Sequence, residues 1–143
     1  MPVDFSAKQT EELCETAKKH NIQGLIFGNL TKKRDSPLFD KQEIKKAGKG
    51  NFSGFPTQEK SNELIKFAYK KYKNKFVIIG CGGVFSSEDA YKKIKLGASL
   101  VQMITGMIFQ GPSIIGEINQ ELAEMLKKDK FKNISQAVGS DNK

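Results

Sequence analysis

Three short, nearly continuous apolar runs, separated by helical patterns, constrain this chain more than any other feature. They are Gly24-Leu25-Ile26-Phe27, Phe76-Val77-Ile78-Ile79 and Ser99-Leu100-Val101-Gln102-Met103. Each is short for a helix and lacks the polar alternation of a strand with one wet face, so each reads as a strand covered on both sides. Helical signals lie around them. Ser6-Ala7-Lys8-Gln9 has the form of a capping box, and a helix follows to about Lys19 with Leu13, Cys14 and Ala17 on its buried face. Thr57 can cap a second helix, reaching about Tyr72, with Leu64, Ile65, Ala68, Tyr69 and Tyr72 along one side. Ser86 or Ser87 caps a shorter one through Ile94, and Gly97 suits the left-handed position beyond its end. Pro112 can open a long last helix with the stripe Ile114, Ile115, Ile118, Leu122, Met125 and Leu126. One more amphipathic turn is expected within residues 131–138. Strands alternating with helices imply an α/β fold with a parallel sheet, either doubly wound or part of a (β/α)8 TIM barrel. Residues 28–56 follow neither period and hold Pro37, Gly48, Gly50, Gly54 and Pro56. A loop that long is often functional.

Composition narrows the function classes. The 143 residues suit one domain, and 38% hydrophobic with 28% charged residues is an ordinary globular balance. No apolar run approaches the roughly 18 residues of a membrane span. Residues 1–9 show neither a signal peptide nor a transit peptide, which says nothing about the address of any longer parent chain. The net charge of +8 invites a nucleic-acid partner. But the lysines come as scattered pairs (Lys18-Lys19, Lys32-Lys33, Lys45-Lys46, Lys70-Lys71, Lys92-Lys93, Lys127-Lys128), mostly at helix ends or on polar faces, where cations complement the helix dipole. No nucleic-acid partner is expected. Cys14 and Cys81 match no metal or disulfide spacing and read as buried thiols. The lone His20 leaves little for a metal site or a Ser-His-Asp triad, and no metal is expected.

In either fold the chemistry sits at the C-terminal ends of the strands. The first strand ends in Gly28-Asn29-Leu30-Thr31. Asn29 offers donors and an acceptor to a planar ligand, although a turn residue explains it as simply. The second ends in Gly80-Cys81-Gly82-Gly83 with a helix cap at Ser86, and glycines there let backbone amides approach a phosphate. Neither a P-loop nor a G-x-G-x-x-G is present, so a plain tight turn is an equal reading of that segment alone. The third ends in Ile104-Thr105-Gly106. Two successive strand ends of this kind point to a phosphorylated cofactor or substrate, since barrels often hold a phosphate between their last two loops.

The run from Gly80-Cys81-Gly82-Gly83-Val84-Phe85-Ser86-Ser87-Glu88-Asp89-Ala90, through Lys93-Ile94 and Gly97-Ala98-Ser99-Leu100-Val101-Gln102, to Phe109-Gln110-Gly111-Pro112 resembles the C-terminal signature of dihydroorotate dehydrogenases. Asn21-Ile22-Gln23-Gly24-Leu25-Ile26 and Phe52-Ser53-Gly54 match in order and spacing. The tail, Phe131 and Gln136-Ala137-Val138-Gly139-Ser140-Asp141, resembles that of the quinone-dependent class. The resemblance implies that residues 1–143 are the C-terminal portion of one FMN-binding (β/α)8 barrel, about three of its eight strands. It implies oxidation of dihydroorotate to orotate in pyrimidine synthesis, with ubiquinone as acceptor. By position, Gly28, Gly54, Gly83, Ile104 and Thr105 would lie against FMN, with Gly83 and Thr105 nearest its phosphate, while Asn29 and Leu30 would contact the pyrimidine. The implied location is peripheral, at the mitochondrial inner membrane in a eukaryote or the cytoplasmic membrane in a bacterium, through a region outside this sequence.

The departures are specific. The family usually has Thr at the positions of Gly28 and Leu30, an aromatic residue at Ile104, Gly at Asn51 and a basic residue at Phe55. Loss of a hydroxyl at Leu30 removes a substrate hydrogen bond worth about 1 kcal/mol or more. Pro2-Val3-Asp4-Phe5-Ser6 resembles the piece just after the family's flavin-binding lysine. That lysine, the serine general base and the quinone-tunnel region all lie outside this sequence, so no catalytic residue is assigned within it. The chain alone is therefore expected to be inactive, and to need the N-terminal part of the barrel, or self-association, to bury its inner face. The alternative is a non-catalytic relative that binds FMN or another phosphate.

Overall fold

The computed structural model describes residues 1–37 and 39–142. The capping box forms as the sequence indicates: Ser6 Oγ accepts from the Gln9 N–H, and the Gln9 side chain accepts from the Ser6 N–H at 3.0 Å. It opens α1, Ala7–Lys19. Cys14 is buried as expected, with Thr10 beside it on the i, i+4 row. Leu13 instead faces solvent, because that row, rather than the one through Leu13, meets the core. β1 is Gly24–Phe27.

The long segment after β1 is more ordered than its sequence suggests. Asp40 Oδ1 accepts from the N–H groups of Gln42 and Glu43 and starts a short helix, α2, Lys41–Lys46. Thr31 and Phe52 form an antiparallel bridge that closes the excursion. Inside it the Arg34 guanidinium donates to the carbonyls of Gly48 at 2.7 Å and Gly50 at 2.9 Å and lies over the Phe52 ring. Phe39 packs on the other contact of that ring. Since one side chain ties the carbonyls together, Arg34→Met should speed tryptic cleavage near Lys45 and Lys46 several-fold while moving the global unfolding midpoint little. Limited proteolysis beside a thermal melt checks this.

A 3₁₀ turn, Phe55–Thr57, leads into α3, Gln58–Tyr72. Thr57 stands at the N-cap position but makes no cap bond; its hydroxyl donates to Gly54 O at 2.7 Å and secures the turn instead. Then come β2, Val77–Gly80, and α4, Ser87–Lys95, capped by Ser86 Oγ. β3 is only Leu100–Val101, shorter than its apolar run, and pairs with β2 alone. A short helix not signalled by any pattern, α5, covers Thr105–Gln110. α6, Ile114–Lys128, begins after Pro112 rather than at it. Ile114 and Ile118 are buried in its stripe, whereas Ile115 is exposed. α7, Ile134–Ala137, and a final 3₁₀ turn, Ser140–Asn142, end the chain.

The three strands are parallel in the order β1-β2-β3. In-register neighbours share a face, and side chains alternate along each strand. Phe27, Ile78 and Gly80 therefore point to one face and are buried against α1 and α3 with Cys14, Ile65 and Ala68. Ile26, Val77 and Leu100 point to the other, where they remain 43%, 45% and 57% exposed. Strands written for burial on both faces thus have helices on only one. That excludes the doubly wound alternative within this chain and leaves a barrel segment, whose concave face is the bare one. Its outer edges differ. The Met1 amino group donates to Ile26 O, and Met1 O accepts from the Gly28 and Asn29 amides, so the chain start lies along the edge of β1. Beside β3 lies a cavity of about 640 Å³ walled mostly by apolar residues of α4, β3 and α6.

Candidate functional site

The loops at the C-terminal ends of the strands meet in one place. Cys81 N–H donates to Phe27 O at 2.7 Å, tying the ends of β1 and β2 together. Gly28 crosses that junction with φ +110°, and a Cβ there would overlap the Cys81 carbonyl oxygen and lie 2.5 Å from Ser61 Oγ. Gly82 and Gly83 are both left-handed, with φ +89° and +68°. Their turn is braced from behind. Ser61 Oγ donates to Cys81 O, and Gln58 Nε2 donates to Gly83 O at 2.6 Å and to Asp89 Oδ1 at 2.7 Å. Asp89 Oδ2 in turn accepts from Phe85 N–H at 3.0 Å. Across the site Gly54 approaches Thr105 so closely that a Cβ would sit 2.9 Å from its Cγ2. The Ser53 and Thr105 hydroxyl oxygens are 3.0 Å apart. Asp4 fixes the Asn29 loop from outside, accepting from the Thr31 hydroxyl and the Lys32 N–H, each at 2.7 Å.

Gly28, Asn29, Leu30, Gly54, Gly83, Ile104 and Thr105 all line a single cavity of about 160 Å³ at this junction. The sequence singled out each of the seven, and the fold brings all of them together. Ser53, Thr57, Cys81, Gly82, Val84, Met103 and Gly106 complete the wall. Ser53 was legible within Phe52-Ser53-Gly54 as the polar member of that motif; Thr57 carried only a capping signal. Cys81 is half-buried and lines the cavity instead of lying in the core, a correction to its reading as a buried thiol. Among the described residues no carboxylate lines the cavity. Among the described residues the Gly82 and Gly83 amides meet no acceptor of the chain. Donors without a neighbouring negative charge are what a phosphate needs, so these residues fit a phosphate-bearing cofactor. At about 160 Å³ the cavity is smaller than a typical cofactor site of roughly 300–1,000 Å³. The larger space beside β3 is walled mainly by apolar residues with Ser99, Gln102 and Asn119 among them, and it borders the unpaired edge of β3. No group of three or more metal-ligating side chains occurs among the described residues.

One lysine departs from the solvated-pair reading. Lys93 is fully buried, and its Nζ donates to Ser61 Oγ and Asn62 Oδ1, both at 2.9 Å. Burial pulls its pKa from 10.5 down to about 8. The unfolded chain therefore holds this proton between pH 8 and 10.5 while the folded chain releases it. Stability relative to Lys93→Met should rise across that window, by on the order of 3 kcal/mol. Cys14 and Tyr91, raised by burial to about 11 and about 12, act in the opposite sense and overlap the upper part of that window. Denaturation of wild type and variant in parallel isolates the lysine.

A three-stranded parallel sheet, clad on one face, with its ligand groups at the C-terminal strand ends, defines a segment of a (β/α)8 barrel. The profile of the family described as "Dihydroorotate dehydrogenase" matches residues 1–126, and the chain belongs to that family. The chain is 41% identical over 140 residues to the rice protein named dihydroorotate dehydrogenase (quinone), mitochondrial, and 39% identical over 146 residues to dihydroorotate dehydrogenase (quinone) of Trichodesmium erythraeum. Each alignment covers 98% of this chain but only 29% and 38% of those relatives. A crystal structure of DHODH from Eimeria tenella in complex with ferulenol superposes with a TM-score of 0.88 at 28% identity, covering all of this chain and 37% of that one. The ligand-free form gives 0.90 at 29% identity. The chain thus spans about a third of the length of the proteins it matches.

Proposed function

We propose that this chain is the C-terminal portion of an FMN-binding barrel that oxidises (S)-dihydroorotate to orotate and delivers the electrons to a quinone, in pyrimidine synthesis. The observation that carries the reading is the convergence of the seven residues on one carboxylate-free cavity at the strand ends. Gly83 and Thr105 hold the phosphate, the first by its turn and the second by its hydroxyl. Gly28, Gly54 and Ile104 lie against the flavin, and their small or apolar character excludes water from it. Asn29 orients the pyrimidine by its amide, and Leu30 packs beside it. When bound, FMN supplies the hydride acceptor and the relay to the quinone. The serine base that takes the substrate proton belongs to the preceding part of the barrel. Ile104, which lines the cavity at the N-cap of α5, and Ile108 and Phe109 on α5 itself are exposed, an apolar surface that suits a lipophilic acceptor.

No helix of the described residues is long and apolar enough to cross a membrane. A peripheral membrane address, mitochondrial or bacterial, would come from the same preceding region. The 143 residues alone lack the base and most of the wall and are inactive on this reading. Leu30 favours one second reading, a relative that binds FMN or another phosphate without turning over dihydroorotate, because the hydroxyl that would meet the substrate is absent. The test is anaerobic addition of dihydroorotate to the holoprotein containing this chain. Bleaching of the flavin band, with its return on adding a quinone, supports the dehydrogenase. A flavin that stays oxidised indicates the non-catalytic relative.

A further inference from the structure

Lys93 is an unexplained charge. It sits on α4 with no exposed surface and takes part in none of the ion pairs among the described residues. Its two hydrogen-bond partners, Ser61 and Asn62, are neutral. The one carboxylate that acts on it, Asp89, lies a turn earlier on α4 and is held by Gln58 and the Phe85 amide rather than by Lys93. A buried ammonium compensated so indirectly is costly, and such groups persist where something else adds to the compensation. Its place in the fold indicates what. Lys93 Cδ would be 3.1 Å from a Cβ at Gly80, directly under the end of β2. Ser61, which accepts its hydrogen bond, donates onward to the carbonyl of Cys81, the first residue of the glycine turn. Lys93, Ser61 and Cys81 thus form one polar chain from the core to the back of the phosphate cradle. Donating to Ser61 Oγ leaves the serine proton free to aim at Cys81 O, so the ammonium also sets the direction of the second bond.

We propose that Lys93 is a positioning residue for the cofactor phosphate: through Ser61 it fixes the Cys81-Gly82-Gly83 turn with its amides facing the ligand, and the phosphate adds to the negative charge that Asp89 alone supplies to the buried ammonium. The inference rests on the flavin reading above and adds to it a residue that does not line the cavity.

The test compares the affinity of the holoprotein for FMN and for riboflavin, which has the same ring without the phosphate. Lys93→Met keeps the aliphatic stem and removes the charge. It should weaken FMN about tenfold or more while changing riboflavin less than about twofold, in keeping with the loss of a charge-assisted network. The ³¹P resonance of bound FMN should shift as well. Equal losses for both flavins would mark Lys93 as a fold residue only, and no loss for either would mark it as irrelevant; both results overturn the assignment. If Lys93→Met does not fold, Ser61→Ala carries the same comparison, and an unchanged FMN-to-riboflavin ratio in that variant overturns it equally. Wild type that binds neither flavin would overturn the flavin reading itself, and this assignment with it.

Discussion

Gly28→Thr, which writes the family's usual residue back into the site, should damage this protein rather than improve it. The expected loss is about 3 kcal/mol or more, the range in which a side chain is forced into both a left-handed backbone and a hard overlap. The geometry leaves no room for relief. φ is +110°, and the colliding atoms are the backbone carbonyl of Cys81 and the hydroxyl of Ser61 rather than the tip of a flexible side chain. The same carbonyl accepts the Ser61 bond that braces the glycine turn, so displacing it loosens the cradle too. Leu30→Thr is the control. Leu30 is partly exposed and outside the buried core, and restoring its hydroxyl should change stability by less than about 0.5 kcal/mol. Urea midpoints of the two variants separate these outcomes. A Gly28→Thr protein as stable as wild type would show that the junction of β1 and β2 is built differently.

The second large effect concerns the bare face of the sheet. The 143-residue chain, made alone, should associate or precipitate at micromolar concentration. Burying the exposed half of Ile26, Val77 and Leu100 is worth roughly 1 kcal/mol each, and no helix among the described residues covers that face. Ile26→Lys with Leu100→Lys should give a soluble monomer by light scattering. The same pair should abolish recovery of a complex with the N-terminal barrel segment of a quinone-type relative, because two lysines would then point into a closed barrel. A wild-type chain that stays monomeric and excludes hydrophobic dyes would contradict the assignment of this face as a barrel interior.

Much of this was legible in the sequence, for reasons that differ by element. β1 and α3 carry strong local signals: a bounded apolar run in one, an i, i+3, i+4 stripe in the other. α2 and α5 were not foreseen because six residues are too few to establish a helical period. The exposure of Ile26, Val77 and Leu100 could not be read from their own composition, which is that of a strand with two covered faces. No second cover occurs among the described residues. The seven site residues came from glycine-rich strand ends and a family resemblance, and their meeting in one cavity follows from parallel topology, which places every strand's C-terminal end on one side. Lys93 was misread as half of a solvated pair because charge alone does not reveal which side of α4 a lysine occupies.

Flavin content after assembly is the decisive measurement. The chain would be combined with the barrel strands that precede it, either its own upstream product or the N-terminal segment of a relative, and purified without added cofactor. A yellow complex carrying stoichiometric FMN, in which Gly83→Val abolishes the colour while a substitution in the outer loop near Gly48 does not, is the expected result. A well-folded complex that remains colourless and takes up no FMN on titration would contradict it.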